Sequence, residues 1–88
     1  MKIEVLNSFI RDLKKVKDKN IKLKIKDIID DIESSTKLQD IQNLKKMSGY
    51  NDYYRIRIKD YRIGLYFNEE TLYLVRILHR KEIYKFFP

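Results

Sequence analysis

The chain has 88 residues, which is enough for one modest core and too few for two, so residues 1–88 are expected to form a single domain. The absence of cysteine excludes disulfides and thiolate metal sites and suits a reducing compartment. A net charge of +7, with a pI near 9.6, favours an anionic partner, namely nucleic acid, an acidic protein or a membrane surface.

The apolar segments are too short to span a membrane. The N-terminal MKIEVLNSF has polar and acidic residues where a signal peptide needs an unbroken apolar segment. Low glycine and proline content, with 43% hydrophobic residues, argues against a disordered chain. We therefore expect a folded, soluble, cytoplasmic protein without a membrane partner.

The first third of the chain predicts a short strand and two amphipathic helices. Lys2–Val5 alternates apolar and charged residues, as a strand does. Asn7 or Ser8 can cap a helix that runs to about Asp18, and a second helix covers roughly Ile21–Glu33. Because the connection between them is short, an antiparallel helical hairpin is the expected packing. Its apolar stripes are Phe9, Leu13 and Val16 in the first helix, and Ile21, Ile25, Ile28, Ile29 and Ile32 in the second.

The segment after the second helix fits two structures. Ser34-Ser35-Thr36 ends the helix, and Leu38, Ile41 and Leu44 are then spaced like one side of another short helix. Leu44–Met47 could equally be a strand that enters the sheet. The sequence pattern keeps both alternatives open.

The stretch YYRIRIKDYRIGLYF, which follows a turn at Ser48-Gly49, predicts a β-hairpin with a basic outer face. With period two, Tyr54, Ile56 and Ile58 fall on one face. The opposite face carries Arg55, Arg57 and Lys59.

The expected register of this hairpin brings three arginines onto one surface. If Lys59-Asp60 is a two-residue loop, Arg57 lies opposite Arg62, and Arg55 lies opposite Gly64. Like charges directly across a ladder repel each other, so we expect an anion to lie over the arginines. Gly64 leaves a gap in the side-chain layer, where another backbone or a ligand could come close.

A third strand of about Thr71–Leu78 follows a turn at Asn68-Glu69-Glu70. A three-residue loop would make Arg62 face Arg76, whereas a two-residue loop would turn Arg76 towards the core. We predict the three-residue loop, because a buried unpaired arginine is costly. The closing HRKEIYKFF predicts a short turn or helix, of which Ile83, Phe86 and Phe87 pack on the body.

Together these elements predict an α+β fold. The helical hairpin packs on one face of a small antiparallel β-sheet, a short helix ends the chain, and the other sheet face is basic and open.

The motifs of the common enzyme classes are absent. The chain has no glycine-rich phosphate loop, no metal-ligand spacing and no Ser/His/Asp pattern, and one histidine cannot build a histidine-rich metal site. We therefore expect no metal and no cofactor. Acidic residues crowd the second helix, where a solvated face explains them better than a catalytic acid pair; they are Asp27, Asp30, Asp31 and Glu33.

Arginine, lysine and tyrosine side chains on the open sheet face suit phosphodiester chemistry on RNA. RNA carries its own nucleophile, the 2′-hydroxyl beside the scissile phosphate, so a protein need only position groups, move protons and neutralise charge. Arginine forks match phosphate oxygens, and tyrosines can stack on unpaired bases. The C-terminal end adds His79, Arg80, Lys81 and Tyr84. Of these, His79 is the side chain best suited to exchange protons near neutrality.

Each of these residues also has a purely structural interpretation. Arg55 and Arg57 would also keep a sheet face soluble, and the alternation alone supports both explanations equally. A lone histidine at a strand end, such as His79, is usually a surface or packing residue. Tyr84 also fits the terminal hydrophobic patch. The residue pattern keeps these alternatives open.

With these residues in view, the chain resembles the RelE/ParE superfamily of toxins from type II toxin–antitoxin systems. The resemblance covers the paired N-terminal helices, the block LKKMSGYNDYYRIRIKDYRIGLYF and the closing LHRKEIY. Members of the RelE branch are small ribonucleases that cut messenger RNA in the ribosomal A site by 2′-hydroxyl attack, leaving a 2′,3′-cyclic phosphate. The resemblance therefore implies a RelE-like fold and a metal-independent endoribonuclease that inhibits translation.

The motifs of that branch imply roles for individual residues. YRIR places Arg55 and Arg57 at its basic positions, and DYRIG places Arg62 on a phosphate-stabilising arginine. HRKEIY places Arg80 on a second such arginine and Tyr84 on the C-terminal catalytic tyrosine. Further basic residues are expected to bind the RNA: Lys45, Lys46, Lys59, Arg76 and Lys81.

Two residues depart from the pattern of that branch. His79 stands where its best-studied members have no histidine, although other ribonuclease branches have one near the C-terminus. We keep His79 as a candidate for proton transfer beside Tyr84. Lys59 occupies a turn position where relatives often carry glycine.

The resemblance also implies partners. Such toxins are encoded with an antitoxin, here expected to be RelB-like, whose disordered and often acidic segment folds around the toxin. That mode suits a +7 surface and exposed sheet edges. The ribosome and messenger RNA would be the other partners. Two alternatives remain: a ParE-like toxin, which shares the fold and poisons DNA gyrase, and a catalytically inactive module that only binds an antitoxin.

Overall fold

A computed structural model describes residues 1–88 as three α-helices and one five-stranded sheet. In chain order the elements are β1 (Lys2–Val5), α1 (Asn7–Lys15), α2 (Lys19–Ser34), a 3₁₀ turn (Leu38–Asp40), β2 (Leu44–Lys46), β3 (Tyr53–Ile58), β4 (Tyr61–Asn68), β5 (Thr71–His79) and α3 (Ile83–Phe86). The strand order is β1-β5-β4-β3-β2, so β1 and β2 form the edges. All neighbouring strands are antiparallel except β1 and β5, which run parallel. The predicted α+β fold is confirmed.

The two N-terminal helices form because each has one apolar stripe, and they bury it against the sheet. α1 ends at Lys15, three residues before its predicted end, because Asp18 instead caps the next helix. The Asp18 side chain accepts a hydrogen bond of 2.8 Å from the backbone N–H of Asn20. The core joins Phe9, Ile21, Ile25 and Ile32 of the helices, and Val16 just after α1, to strand residues Ile56, Ile58, Ile63, Leu65, Leu72, Leu74 and Ile77. No helix combines the length and apolar character that crossing a membrane needs.

The segment after α2 contains both of the predicted structures, a short helical turn and a strand. A single 3₁₀ turn covers Leu38–Asp40, and Leu44–Lys46 forms the edge strand β2. Asn43, with a φ of +63°, separates the two, and Ile41 is buried in the core.

The β3–β4 hairpin has the predicted register. Arg57 pairs with Arg62, and Arg55 pairs with Gly64. The loop is the two-residue Lys59-Asp60, in which Lys59 adopts a φ of +51° that glycine would adopt more easily.

The predicted loop between β4 and β5 is wrong. Asn68 pairs with Thr71, so the loop has two residues, and both have positive φ, as a type I′ hairpin turn requires. The register then shifts where Gly64 pairs with Arg76 and Leu65 pairs with Leu74. One extra residue on β5 therefore forms a bulge at this point. Arg62 consequently pairs with Leu78, not with Arg76.

Helix α1 replaces β1 along the second half of β5. β1 pairs with β5 only as far as Leu74; beyond that point, Ser8 donates to the carbonyl of Val75. The carboxylate of Asp12 then accepts from the backbone N–H of Ile77 at 3.1 Å. These two side chains lie one helical turn apart on α1, so the helix covers an edge that would otherwise be open.

The carboxylate of Asp12 also explains why Arg76 can be turned away from Arg62. Asp12 is only 6% exposed, and it accepts from Arg76 Nε at 2.7 Å and from Nη2 at 3.1 Å. This pairing raises the pKa of Arg76, through the hydrogen bond first and the attraction between the charges second. A two-residue loop is costly only if Arg76 is unpaired, and Asp12 supplies its partner.

A second, smaller core lies on the sheet face opposite the helices. Met47, Ile83 and Phe87 are buried there, with Tyr53, Val75 and Leu78 packed around them. This cluster fixes α3 on the face that the sequence predicted to be open. The prediction that Phe86 also packs on the body is wrong, since its side chain is 55% exposed.

Candidate functional site

The basic face of the β3–β4 hairpin carries three arginines without a carboxylate partner. Arg57 and Arg62 lie directly opposite each other, and Arg55 lies one step along the same face. The two ion pairs of the molecule involve other arginines, Arg76 and Arg80. No carboxylate therefore neutralises the three guanidinium groups.

Arg62 is the most constrained of these side chains. Its Nη1 donates to the carbonyl oxygens of Lys59 and Tyr61, both at 2.9 Å. Partial burial lowers the pKa of the Arg62 guanidinium, and repulsion from Arg57 and Arg55 lowers it further. The hairpin turn thus holds the Arg62 guanidinium close to two other positive charges. A bound phosphate would relieve the repulsion between these charges.

Two residues from the C-terminal end lie near the arginine cluster. Tyr84 lines a cavity that Arg55 also lines, and the positive charge of Arg80 contributes to lowering the pKa of Arg62. The backbone N–H of Arg80 donates to the carbonyl of Asp60 at 2.7 Å, which fastens this segment to the hairpin turn. The Arg80 guanidinium lies 3.9 Å from the Asp60 carboxylate, but both side chains are more than half exposed, so this ion pair is weak. Tyr84, on α3, is 64% exposed.

The gap above Gly64 is filled by the protein itself. The sequence suggested that another backbone or a ligand would come close there; the ring of Phe87 occupies the place. A Cβ at residue 64 would lie 2.7 Å from two ring atoms of Phe87, which is 3% exposed. The ring also packs edge-on to Tyr53, with centroids 5.6 Å apart. Glycine at this position therefore seats Phe87, and Phe87 in turn anchors α3 and its Tyr84.

His79 lies away from the arginine cluster. It pairs with Tyr61 across the ladder, and their rings meet edge to face at 5.7 Å. Because Tyr61 packs on the core side, alternation places His79 on the opposite face from Arg62. Its Nδ1 accepts from the backbone N–H of Lys81 at 3.2 Å. His79 lines a separate cavity of about 430 Å³, together with Asp12 and Arg76.

The candidate lysines surround the cluster at different distances. Lys45 pairs with Arg55 across the β2–β3 ladder, so it belongs to the same face. Lys46 lines a cavity next to Arg55, and Lys59 forms the hairpin turn beside Arg62. Lys81 is exposed beyond the end of β5.

Tyr50 was not among the residues predicted from the sequence, and it lies next to the arginine cluster. It is 51% exposed and lines the same cavity as Arg55 and Tyr84. The sequence feature that could have indicated Tyr50 is its position, as an aromatic residue directly after the Ser48-Gly49 turn and just before the basic strand. No group of three or more His, Cys, Asp or Glu side chains is placed to hold a metal ion.

The two N-terminal helices on one face of the sheet and the short C-terminal helix on the other form the α+β fold that the resemblance implies. The model of the ParE toxin family of type II toxin–antitoxin systems, parDE, matches residues 3–84. The chain belongs to this family, in the RelE/ParE superfamily. A protein named Toxin RelE3, from Methanocaldococcus jannaschii, is 44% identical over 89 residues, which span 100% of both chains.

Solved structures support the same assignment. The RelB–RelE antitoxin–toxin complex from Methanococcus jannaschii matches with a TM-score of 0.81 and 42% identity, over 96% of this chain and 98% of that chain. The toxin–antitoxin complex RelBE2 from Mycobacterium tuberculosis matches with a TM-score of 0.67 and 18% identity, over 90% and 96% of the two chains. YafQ from E. coli matches with a TM-score of 0.63 and 17% identity, over 94% and 97%. The last two show the fold alone.

Proposed function

We propose that the protein is a ribosome-dependent endoribonuclease toxin that cuts messenger RNA in the A site. The observation that carries this proposal is the cluster of Arg55, Arg57 and Arg62, which has no carboxylate partner; Tyr84 lines a cavity together with Arg55. A fold selected for stability alone would not pair two arginines directly across a ladder. An RNA phosphate would supply the missing negative charge.

In the proposed reaction the RNA provides the nucleophile. Its 2′-oxygen forms a bond to phosphorus, the bond from phosphorus to the 5′-oxygen breaks, and a 2′,3′-cyclic phosphate and a 5′-hydroxyl result. Arg57, Arg62 and Arg80 would neutralise the charge that builds up on the phosphate in the transition state. Tyr84 would transfer the proton; in support, Tyr84 lines a cavity with Arg55, whereas His79 lies on the other sheet face. This chemistry requires no metal ion.

Lysines around the cluster would bind the rest of the RNA strand. Lys45 pairs with Arg55 on the arginine face, and Lys59 forms the hairpin turn beside it. Lys46 contributes to the lining of the cavity next to Arg55, and Lys81 follows Arg80 in the chain. Arg76 is left out of the proposed site, because Asp12 already neutralises it.

A cognate antitoxin is the proposed regulatory partner. Two of the structural relatives are antitoxin–toxin complexes, and one of them is 42% identical to this chain. Exposed apolar residues Leu6 and Ile10 lie one helical turn apart at the start of α1, and the edges of β1 and β2 are unpaired. An amphipathic, acidic segment that folds on this surface would complement both the apolar residues and the +7 charge.

The proposal is tested by mapping cuts in a translated messenger RNA with purified protein and ribosomes. Arg62→Ala and Arg80→Ala should each lower the cleavage rate by roughly 10²–10³, the usual effect of losing one transition-state charge donor. Arg11→Ala is the matched control, because it removes one exposed arginine of α1 that forms no ion pair. EDTA should leave the rate unchanged. Unaltered cleavage by both site variants would disprove these roles.

A gyrase poison of the ParE type is the second candidate, since the matching family model carries the ParE name. DNA breaks trapped by gyrase in the presence of the protein, without cuts in messenger RNA, would establish it. A protein that does neither and still binds its antitoxin would be an inactive binding module.

A further inference from the structure

A cavity of about 330 Å³ opens beside the arginine cluster, on the side away from Arg57 and Arg62. Met47 and Phe87, both buried, contribute apolar surface to its lining. Tyr50 and Tyr84, both more than half exposed, line it as well. An apolar surface flanked by exposed aromatic rings suits a flat, aromatic ligand.

The ring of Tyr50 is held in place by the sheet. It packs edge to face on Tyr53, with centroids 6.2 Å apart and an interplanar angle of 79°. Tyr53 in turn contacts Tyr66, at 5.0 Å, and Phe87. A tyrosine supported in this way loses little side-chain freedom when a base stacks on it.

The charged groups of the cavity are hydrogen-bond donors. Arg55 is its charged side chain, since Lys46, which also contributes to the lining, pairs with Tyr54 and by alternation turns its side chain to the other sheet face. No carboxylate or amide side chain lines the cavity. Guanine presents two acceptors, O6 and N7, on one edge, which an arginine binds bidentately. Adenine and cytosine present an amino group, for which the charged side chains of this cavity offer no acceptor.

We propose that this cavity binds the base of the nucleotide next to the cleaved phosphate, with guanine preferred. The base would stack against Tyr50, and Arg55 would donate to its edge, while Arg57, Arg62 and Arg80 hold the phosphate. This inference rests on the proposed ribonuclease function and adds a base-recognition site to it. In this proposal Arg55 binds the base, whereas Arg57 and Arg62 bind the phosphate.

The first test measures binding without cleavage. The 3′-monophosphates of guanosine, adenosine, cytidine and uridine are titrated into the purified protein, and the ring signals of the tyrosines are followed by NMR. Guanosine 3′-monophosphate should bind most tightly. Stacking of one base on an aromatic ring contributes about 1–3 kcal/mol, so Tyr50→Ala should weaken this binding roughly 5- to 150-fold. Tyr50→Phe is the matched variant; it keeps the ring and should bind like the wild type.

Equal affinity for the four nucleotides would overturn the guanine preference, and undiminished binding by Tyr50→Ala would overturn the site. Binding of an acidic antitoxin segment through Tyr50, with no nucleotide binding, would also overturn it, because the cavity would then belong to a protein interface. Unfolding curves of the variants show whether they are folded.

The second test compares cleavage of messenger RNAs that differ in the base next to the cut. Tyr50→Ala should raise KM and flatten the base preference, with a smaller effect on kcat, and Tyr50→Phe should restore both. Cleavage with no effect of Tyr50→Ala would reject the base site and leave the ribonuclease proposal standing. Tyr50-dependent binding of guanosine 3′-monophosphate by a protein that cuts no RNA would reject the ribonuclease proposal and leave the site standing.

Discussion

Replacing Gly64 by alanine tests whether the contact between β4 and Phe87 positions α3. The added Cβ would lie 2.7 Å from Cγ and Cδ2 of Phe87 and 2.8 Å from Cε2. Carbon atoms pack comfortably at about 3.5–4.0 Å, so the ring has to move by roughly 1 Å. It has little room to do so, because it is 3% exposed and packs against Tyr53.

The size of the effect follows from these contacts. Overpacking a well-packed site costs about 1–3 kcal/mol, and burial of a phenylalanine side chain contributes about 1.5–3 kcal/mol. Gly64→Ala should therefore lower the free energy of unfolding by about 2 kcal/mol. Because displacement of Phe87 also moves Tyr84, cleavage should decrease together with stability.

A double-mutant cycle with Phe87→Leu isolates the contact. Leucine lacks the ring atoms that meet the new Cβ, so part of the cost of Gly64→Ala should disappear in that background. We expect a coupling energy of about 1–2 kcal/mol, measured by urea unfolding of the four proteins. Gly49→Ala is the control, because a Cβ at residue 49 meets nothing within 4 Å. It should cost stability only through the φ of +82° at Gly49, independently of Phe87.

Additive effects of Gly64→Ala and Phe87→Leu would refute the reasoning, since they would mean that the two side chains do not compete for the same space. Cleavage that stays normal in a destabilised Gly64→Ala protein would show that Phe87 does not position Tyr84.

Three further predictions concern residues outside the arginine cluster. His79→Gln should leave the cleavage rate unchanged, because His79 lies on the opposite sheet face; a loss of 10²-fold or more, typical of general acid–base catalysis, would contradict this. Asp12→Ala should destabilise the fold by about 3 kcal/mol in urea unfolding, because it leaves Arg76 and the N–H of Ile77 without their acceptor. Asp12→Asn should destabilise it less, since asparagine keeps one acceptor oxygen. Glu70→Gly should stabilise the fold by about 0.5–1 kcal/mol and so raise the midpoint of thermal unfolding, because Glu70 has a φ of +65°, which glycine adopts more easily. A lower midpoint would rule out strain at this turn.

The β3–β4 hairpin shows what local patterns can predict. Alternation of apolar and basic residues assigns Arg55 and Arg57 to one face, and a two-residue loop then sets every later pair, including Arg57 with Arg62. Both signals lie within a few residues of the positions they determine, so no distant contact was needed. The apolar stripes of α1 and α2 were predicted for the same reason.

The β4–β5 pair shows where such patterns end. The register shifts beside Gly64, and the guanidinium of Arg76 pairs there with Asp12, which lies 64 residues away in the chain. Local sequence patterns indicate that a buried, unpaired Arg76 would destabilise the fold, but they do not show that the carboxylate of Asp12 lies beside it.

For this protein, residue order alone specified the class of fold, the helical stripes and the basic hairpin, because these follow from periodicities of two and 3.6 residues along a continuous segment. The folded arrangement decided which candidates meet: Arg80 is fastened to the hairpin turn at Asp60, Tyr84 shares a cavity with Arg55, His79 is carried to the other face, and Phe87 fills the space above Gly64. Those outcomes depend on packing between segments far apart in the chain, where a shift of one residue in register reverses the face on which a side chain lies.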